Sequence, residues 1–94
     1  MNQIEHMMKL YEEGLDELMG AQKYLKQSNR ASSNEEKVMY RNMSRQELEH
    51  AQMLIRDGDR MFSGENALDS VDMVWKSLRE HLLEWHNNLL KSVS

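Results

Sequence analysis

Residues 45–54 read Arg-Gln-Glu-Leu-Glu-His-Ala-Gln-Met-Leu, and they decide which fold and which site we expect. Glu47 and His50 are three positions apart, so on a helix they share one face about one turn from each other. Steps of three and four residues around them mark one stripe of mostly apolar side chains: Tyr40, Met43, Leu54, Asp57 and Met61. We therefore expect Glu47 and His50 in the middle of a buried helix face.

Ionisable side chains on a buried face need a compensating metal, an ion pair or protonation. A Glu-x-x-His pair that points inward from a helix is the half-site of di-iron helical bundles, in which each of two other helices adds one Glu. Glu17 is the only charged member of a similar stripe earlier in the chain, with Leu10, Gly14, Ala21 and Tyr24. Glu17 is therefore the candidate third ligand.

The two stripes align if the first two helices form an antiparallel hairpin. Pairing Glu17 with Glu47 places the turn near Ser32, inside the polar run 28–34. Ser33 and Glu36 are spaced as a capping box that opens the second helix. The same register predicts these facing pairs: Leu10 with Leu54, Ala21 with Met43, Tyr24 with Tyr40, and Gly14 with His50, where the missing side chain would leave room for an imidazole.

The apolar pattern predicts an all-α fold with helices over about 3–28, 34–62 and 67–91, forming one helical domain, 1–94. The third helix carries both tryptophans on its apolar face: Val71, Trp75, Leu78, Leu82, Trp85 and Leu89. The first helix has more apolar surface than a hairpin can cover. Part of it must meet the third helix or another subunit.

The remaining histidines give weaker signals. His81 lies at the edge of the apolar face of the third helix, with Glu84 three residues later, and His86 falls between two leucines. Either could be a metal ligand, but a half-buried histidine with a hydrogen-bond partner is the more common case. The nine methionines are expected mainly to fill the core.

Composition limits the chemistry and the partners. The chain has no cysteine, which excludes disulfides, iron–sulfur clusters and thiolate zinc sites, so oxygen and imidazole must hold any metal. A net charge of −4 favours cations over nucleic acid. No apolar run approaches the roughly 18 residues of a membrane span, and the N-terminus does not resemble a signal peptide. We expect a cytoplasmic protein that binds neither nucleic acid nor membranes.

One chain offers three ligands, Glu17, Glu47 and His50, whereas a ferritin-type centre needs four carboxylates and two histidines from four helices. Two chains related by a two-fold axis would supply that set and would also bury the excess apolar surface. We therefore expect a homodimer that completes a four-helix bundle, with the metal site on the dimer axis.

The chain resembles the encapsulated ferritins, short ferritin-like proteins whose two-helix protomers pair to build one ferroxidase centre. The resemblance covers about residues 3–62 and is carried by Glu17, Tyr24 and the run 46–50. It implies that Glu17, Glu47 and His50 are the catalytic iron ligands and that Tyr24 lies just outside them. Asp16 matches an acidic residue at the metal entry of the family, whereas Met19 stands where a second one is common.

The resemblance also implies a reaction and an assembly. The reaction would be oxidation of Fe(II) to Fe(III) by oxygen, with two iron ions per dimer, for iron storage or detoxification. Manganese, zinc or calcium could occupy the same ligands in a crystal. Dimers would join into a larger ring such as a decamer, inside the protein shell called an encapsulin.

Two other functions fit the same residues. A non-enzymatic helical module could use the buried Glu and His to set subunit register. A different di-metal enzyme, consuming peroxide or using manganese, could use the same ligands, because the ligand set alone does not fix the reaction.

Overall fold

The computed structural model describes residues 2–62 and 70–93, which form three α-helices and, within those ranges, no strand. They are α1, Gln3–Arg30; α2, Asn34–Phe62; and α3, Ser70–Val93. The predicted all-α class is confirmed. The predicted start of the third helix near residue 67 lies outside the described residues.

Local sequence signals explain where the first two helices begin. The Asn2 side chain caps α1 by accepting a hydrogen bond of 2.8 Å from the Glu5 backbone N–H. The Ser33 hydroxyl caps α2 in the same way, accepting from the Glu36 N–H at 3.2 Å, as the predicted capping box requires. Between the helices only residues 31–33 form the turn. The hairpin turn predicted near Ser32 is confirmed.

Two buried serines tie the hairpin together across the helix interface. Ser44 Oγ on α2 donates to the Ala21 carbonyl on α1 at 2.8 Å, and Ser28 Oγ donates to the Lys37 carbonyl at 3.1 Å. The rings of Tyr24 and Tyr40 stack with their centroids 6.5 Å apart, as the predicted register requires. Ser44, which bonds to the Ala21 carbonyl, is the residue next to Met43, the predicted neighbour of Ala21.

Helix α3 packs across one side of the hairpin and completes the core. The largest cluster joins all three helices: Leu18, Ala21, Leu48, Ala51, Ile55, Leu82, Leu89 and Val93. A second cluster lies nearer the open end of the hairpin: Met7, Leu10, Phe62 and Trp75. The predicted apolar face of α3 is confirmed at its centre, since Trp75 and Leu82 are each only 1% exposed.

Two glycines mark where α3 approaches most closely. A Cβ at Gly14 would lie 3.1 Å from Leu82 Cδ1, and the Trp75 ring occupies the space that a Cβ at Gly58 would need. The prediction that Gly14 makes room for His50 is therefore wrong. The side chain that fills the space above Gly14 belongs to α3, because Gly14 is on the side of α1 that the third helix covers.

Polar contacts fix the position of α3. Asp59 accepts hydrogen bonds from both Nε and Nη2 of Arg79, at 2.7 and 3.0 Å, and from Trp75 Nε1 at 2.9 Å. At the far end of α3, Arg45 donates to the Val93 carbonyl at 3.1 Å. The bidentate geometry to Asp59 orients Trp75 over Gly58.

The other side of the hairpin stays open within one chain. Glu47, Tyr40 and Leu54 are half-buried there, and the His50 side chain is 56% exposed. The expectation that Glu47 and His50 lie on a buried face is therefore wrong for a single chain. The neighbouring stripe of α2, which contains Leu48 and Ile55, is the buried one because α3 covers it.

Candidate metal centre

The open side of the hairpin brings the three predicted ligands together. Glu17 of α1 and Glu47 and His50 of α2 each offer one ligand atom, and these atoms lie within 4.8 Å of one another. Among residues 2–62 and 70–93 these are the residues that form such a group. Glu47 and His50 meet because they are one turn apart on α2, and the hairpin register brings Glu17 level with them.

Glu17 has a buried carboxylate oxygen, Oε2, without a hydrogen-bond donor among the described residues. The His50 imidazole is close by, with Nδ1 3.4 Å from that oxygen. A buried carboxylate oxygen without a donor is costly, and a cation between the carboxylates and the imidazole would remove that cost.

The two carboxyl groups perturb each other. The pKa of Glu47 is raised to about 7, first because the protonated carboxyl can hydrogen-bond to Glu17, then because of burial and the repulsion between the two charges. His50 opposes the shift by favouring the charged form. Near neutral pH, Glu47 is therefore poised to hold a proton when no cation is bound and to release it when one binds.

Gly20 gives the Glu47 carboxylate its space. A Cβ at residue 20 would lie 3.0 Å from Glu47 Oε2 and 3.5 Å from its Cγ. No role is predicted for this glycine from the sequence. A signal was available, because Gly20 lies three residues after Glu17, one turn along the same side of α1.

An open pocket of about 350 Å³ adjoins Glu17 and His50. Its walls include two ligands, further acidic side chains and apolar ones: Glu13, Asp16, Glu17, His50, Met53, Leu54 and Asp57. Asp16, expected at the metal entry, is exposed on this rim. Met19, in place of a second acidic residue, is also exposed, but it borders a different pocket.

Tyr24 lies about two helical turns after Glu17 on α1. No hydrogen bond in the described part of the chain joins its hydroxyl to Glu17 or Glu47, and its ring stacks on Tyr40. Lys23 Nζ lies 5.8 Å from the centroid of the same ring. The expected role of Tyr24 next to the ligands stays a prediction.

His81 and His86 lie on α3, away from the three ligands. Nδ1 of His81 is hydrogen-bonded to the Tyr11 hydroxyl at 2.6 Å, and His86 is buried with Nδ1 3.2 Å from Asn87 Oδ1. Both have the hydrogen-bond partner that the sequence analysis considered the more common case for such histidines.

The donor set fits a hard or borderline divalent cation. Two carboxylates and one imidazole are typical ligands of iron, manganese and zinc, and the absence of cysteine leaves no thiolate for softer metals. Three protein donors leave coordination positions open on the exposed side of His50 and Glu17. Those positions are available to water, to oxygen or to ligands from another chain.

Comparisons with known proteins add no further assignment. None of the described helices is both long enough and apolar enough to cross a lipid bilayer. A scan against protein-family models and searches of curated proteins and solved structures found no significant match. The assignment of a cation to Glu17, Glu47 and His50 therefore depends on their geometry and chemistry.

Proposed function

We propose that the protein is a ferroxidase that binds Fe(II) at Glu17, Glu47 and His50 and oxidises it to Fe(III) with oxygen. The observation that supports this most concerns Glu17. Its Oε2 is buried and has no hydrogen-bond donor among the described residues, and its ligand atom lies within 4.8 Å of those of Glu47 and His50. A core-stabilising Glu would normally have its buried oxygen paired. An oxygen left free beside two other ligands suits a cation better.

The proposed working unit is a pair of chains. One chain supplies two carboxylates and one imidazole, and a second copy related by a two-fold axis would double that set and complete a four-helix bundle. The open side of the hairpin supports this, since the His50 side chain is 56% exposed there, while α3 covers the opposite side. A second chain would also bury the half-exposed apolar residues around the ligands.

Each ligand has a separate task. The Glu17 and Glu47 carboxylates neutralise the charge of the bound cations and, as hard oxygen ligands, favour the ferric product. The Glu47 carboxyl, whose pKa is about 7, gives up its proton as the cation binds. His50 contributes a neutral imidazole nitrogen. Two Fe(II) ions held together can supply the two electrons that reduce oxygen to hydrogen peroxide, with two protons from solvent.

The larger assembly is proposed on the resemblance to encapsulated ferritins alone. It includes a ring of dimers such as a decamer, a location inside an encapsulin shell, and storage or detoxification of iron as the purpose of the reaction.

Anaerobic titration with Fe(II), followed by oxygen, tests the proposal. We expect one iron bound per chain, a rise in ferric absorbance on adding oxygen, and loss of both in Glu17→Ala and His50→Ala. His81→Ala is the matched control, because it removes a histidine hydrogen-bonded to Tyr11 rather than a proposed ligand. Tight binding of two iron ions by an isolated monomer would contradict the two-chain site, and failure to retain iron would contradict the function.

One observation favours a second candidate, a metal-free assembly module. A protonated Glu47 can share its proton with Glu17, which would let the two carboxyls pair without a cation. In that case native mass would be unchanged by Fe(II) and by chelators. Oxidation much faster with peroxide than with oxygen would instead indicate a peroxide-consuming di-metal enzyme.

A further inference from the structure

Helix α1 has an uneven distribution of charge along its length. Residues 3–17 carry five carboxylates and one lysine, whereas residues 18–30 carry three cations and no carboxylate. Helix α2 shows no such division, since its first half, residues 34–48, carries three charges of each sign. Favourable interaction with the helix dipole explains charges only in the first and last turns, and most of the α1 charges lie further in.

Five of these charges, together with Met19, form one exposed stripe. Successive members are four, three, four, three and four residues apart, so they share one side of the helix. All of them are exposed: Glu12, Asp16, Met19, Lys23, Lys26 and Arg30. Met19, between the acidic and the basic part, is 58% exposed. The stripe therefore runs from negative through apolar to positive.

Little within the chain uses these charges. Among the described residues, Glu12, Asp16 and Lys26 form no ion pair, and Lys23 contacts only the face of the Tyr24 ring. Charged side chains on a solvated surface need no partner, so their exposure alone indicates nothing. The order of these charges along the helix is the informative feature. Turning the helix end to end reverses that order, so two antiparallel copies would place negative charges opposite positive ones.

We propose that this stripe is an interaction surface for a second copy of the same chain, packed antiparallel against it. With a two-fold axis at the level of Met19 and Gly20, Asp16 of one chain faces the partner's Lys23, and Glu12 faces the partner's Lys26. Two-fold symmetry forms each contact twice. Opposite charges on the flanks of paired helices set partner choice and orientation in coiled coils, and the same physics applies here.

The level of the axis agrees with the candidate metal centre, and in this respect the surface rests on the proposed function. Gly20 is at the level of the Glu47 carboxylate, which a Cβ at that position would approach to 3.0 Å. Glu17 is two to three residues from the axis, about 4 Å along the helix. Two copies of the ligand set would thus lie at about the same height along α1 as the axis that pairs the charges.

One pair of like charges opposes this contact, far from the axis. In the same register Lys9 would face the partner's Arg30, about three turns from the axis. Helices in bundles usually cross at roughly 20°, so their surfaces separate toward the ends. The long side chains of both residues can also turn into solvent. The attractive pairs lie nearer the axis, where the helices are closest.

Charge reversal provides the test. Lys23→Glu with Lys26→Glu makes the stripe mainly acidic, and Glu12→Lys with Asp16→Lys makes it basic. Each double variant alone should dimerise at least about tenfold more weakly than the wild type, since four attractive contacts become repulsive. Mixed in equal amounts, the two variants should form a heterodimer, because every contact is again between opposite charges. Isotope labelling of one variant lets native mass spectrometry identify that species.

The control reverses two cations elsewhere. Arg56→Glu with Lys76→Glu lowers the net charge as much as Lys23→Glu with Lys26→Glu does, but at exposed positions of α2 and α3. This control should leave the dimer dissociation constant unchanged. Far-UV circular dichroism of every variant checks that the helices are retained. Double variants that dimerise as tightly as the wild type, a mixture that stays monomeric, or a wild type that is monomeric with and without Fe(II) would each overturn the proposed surface.

Iron retention separates this surface from the proposed function. A heterodimer that forms from the mixed variants, in a protein that never retains Fe(II), would support the surface and contradict the ferroxidase. Charge variants that keep both the dimer and the bound iron would contradict the surface and leave the ferroxidase intact.

Discussion

Gly20 of α1 lies against the carboxylate of Glu47 of α2, with 3.0 Å between Glu47 Oε2 and the position of a Cβ at residue 20. Glycine inside a helix costs about 1 kcal/mol relative to alanine. Here it allows a ligand from one helix to extend over the other. The hairpin gives up some helix stability at the site where it brings two carboxylates together.

Gly20→Ala should separate stability from cation binding. The free energy of unfolding of the metal-free protein should stay the same or rise by up to about 1 kcal/mol, because alanine favours the helix. Affinity for Fe(II) or Co(II) should fall by about tenfold, since the new methyl group displaces the Glu47 carboxylate. Asn29→Ala, an exposed substitution on α1 that also favours the helix, is the control and should not change affinity. Isothermal titration calorimetry gives both affinities.

The stability of the metal-free protein should decrease as pH rises through neutrality. The pKa of Glu47 is raised from 4.5 to about 7, so between these values the folded carboxyl holds a proton that the unfolded one has released. The free energy of unfolding therefore falls with increasing pH. For this half-buried group we expect a loss of about 1 kcal/mol between pH 6 and pH 8. Urea unfolding with a chelator present measures it, and Glu47→Gln should remove most of the difference.

Glu17→Gln should stabilise the metal-free protein while removing cation binding. The amide carries no charge and can donate a hydrogen bond to Glu47, so it relieves the repulsion that raises the pKa of that carboxyl. At pH 8 we expect the free energy of unfolding to rise by about 1 kcal/mol. Cation binding should be lost, because one of the three donors has become a weak ligand. A variant that is destabilised at pH 8 would show that Glu17 contributes more to the fold than to a metal site.

Gly58→Ala should disrupt the docking of α3. The Trp75 ring occupies the space of the added methyl group and is held there by its hydrogen bond to Asp59. Overpacking a core of this kind costs roughly 1–3 kcal/mol, only partly offset by helix propensity, so we expect a net loss of about 2 kcal/mol. Tryptophan fluorescence during urea unfolding measures this. Gly14→Ala is the comparison, and its cost should be smaller because the flexible end of Leu82 can move.

The positions of the candidate ligands, the hairpin register and the apolar face of α3 could be predicted from residue spacing. The Glu-x-x-His pair fixes two ligands on one turn of α2, and the polar run around Ser32 fixes the hairpin register that brings Glu17 level with them. Spacing also identified the α3 face that carries Trp75 and Leu82. The role of glycine was assigned to the wrong residue, because spacing within two helices does not show where a third helix packs.

The sequence by itself determined the local features: the three helices, their capping residues, the short turn and the sides on which Glu17, Glu47 and His50 lie. Helical periodicity and capping depend on residues within a few positions of one another, so they can be read along the chain. Only the tertiary structure decided which apolar stripe is buried. Both stripes of α2 are apolar enough to pack, and α3 covers the one with Leu48 and Ile55, which leaves the ligands on the open side.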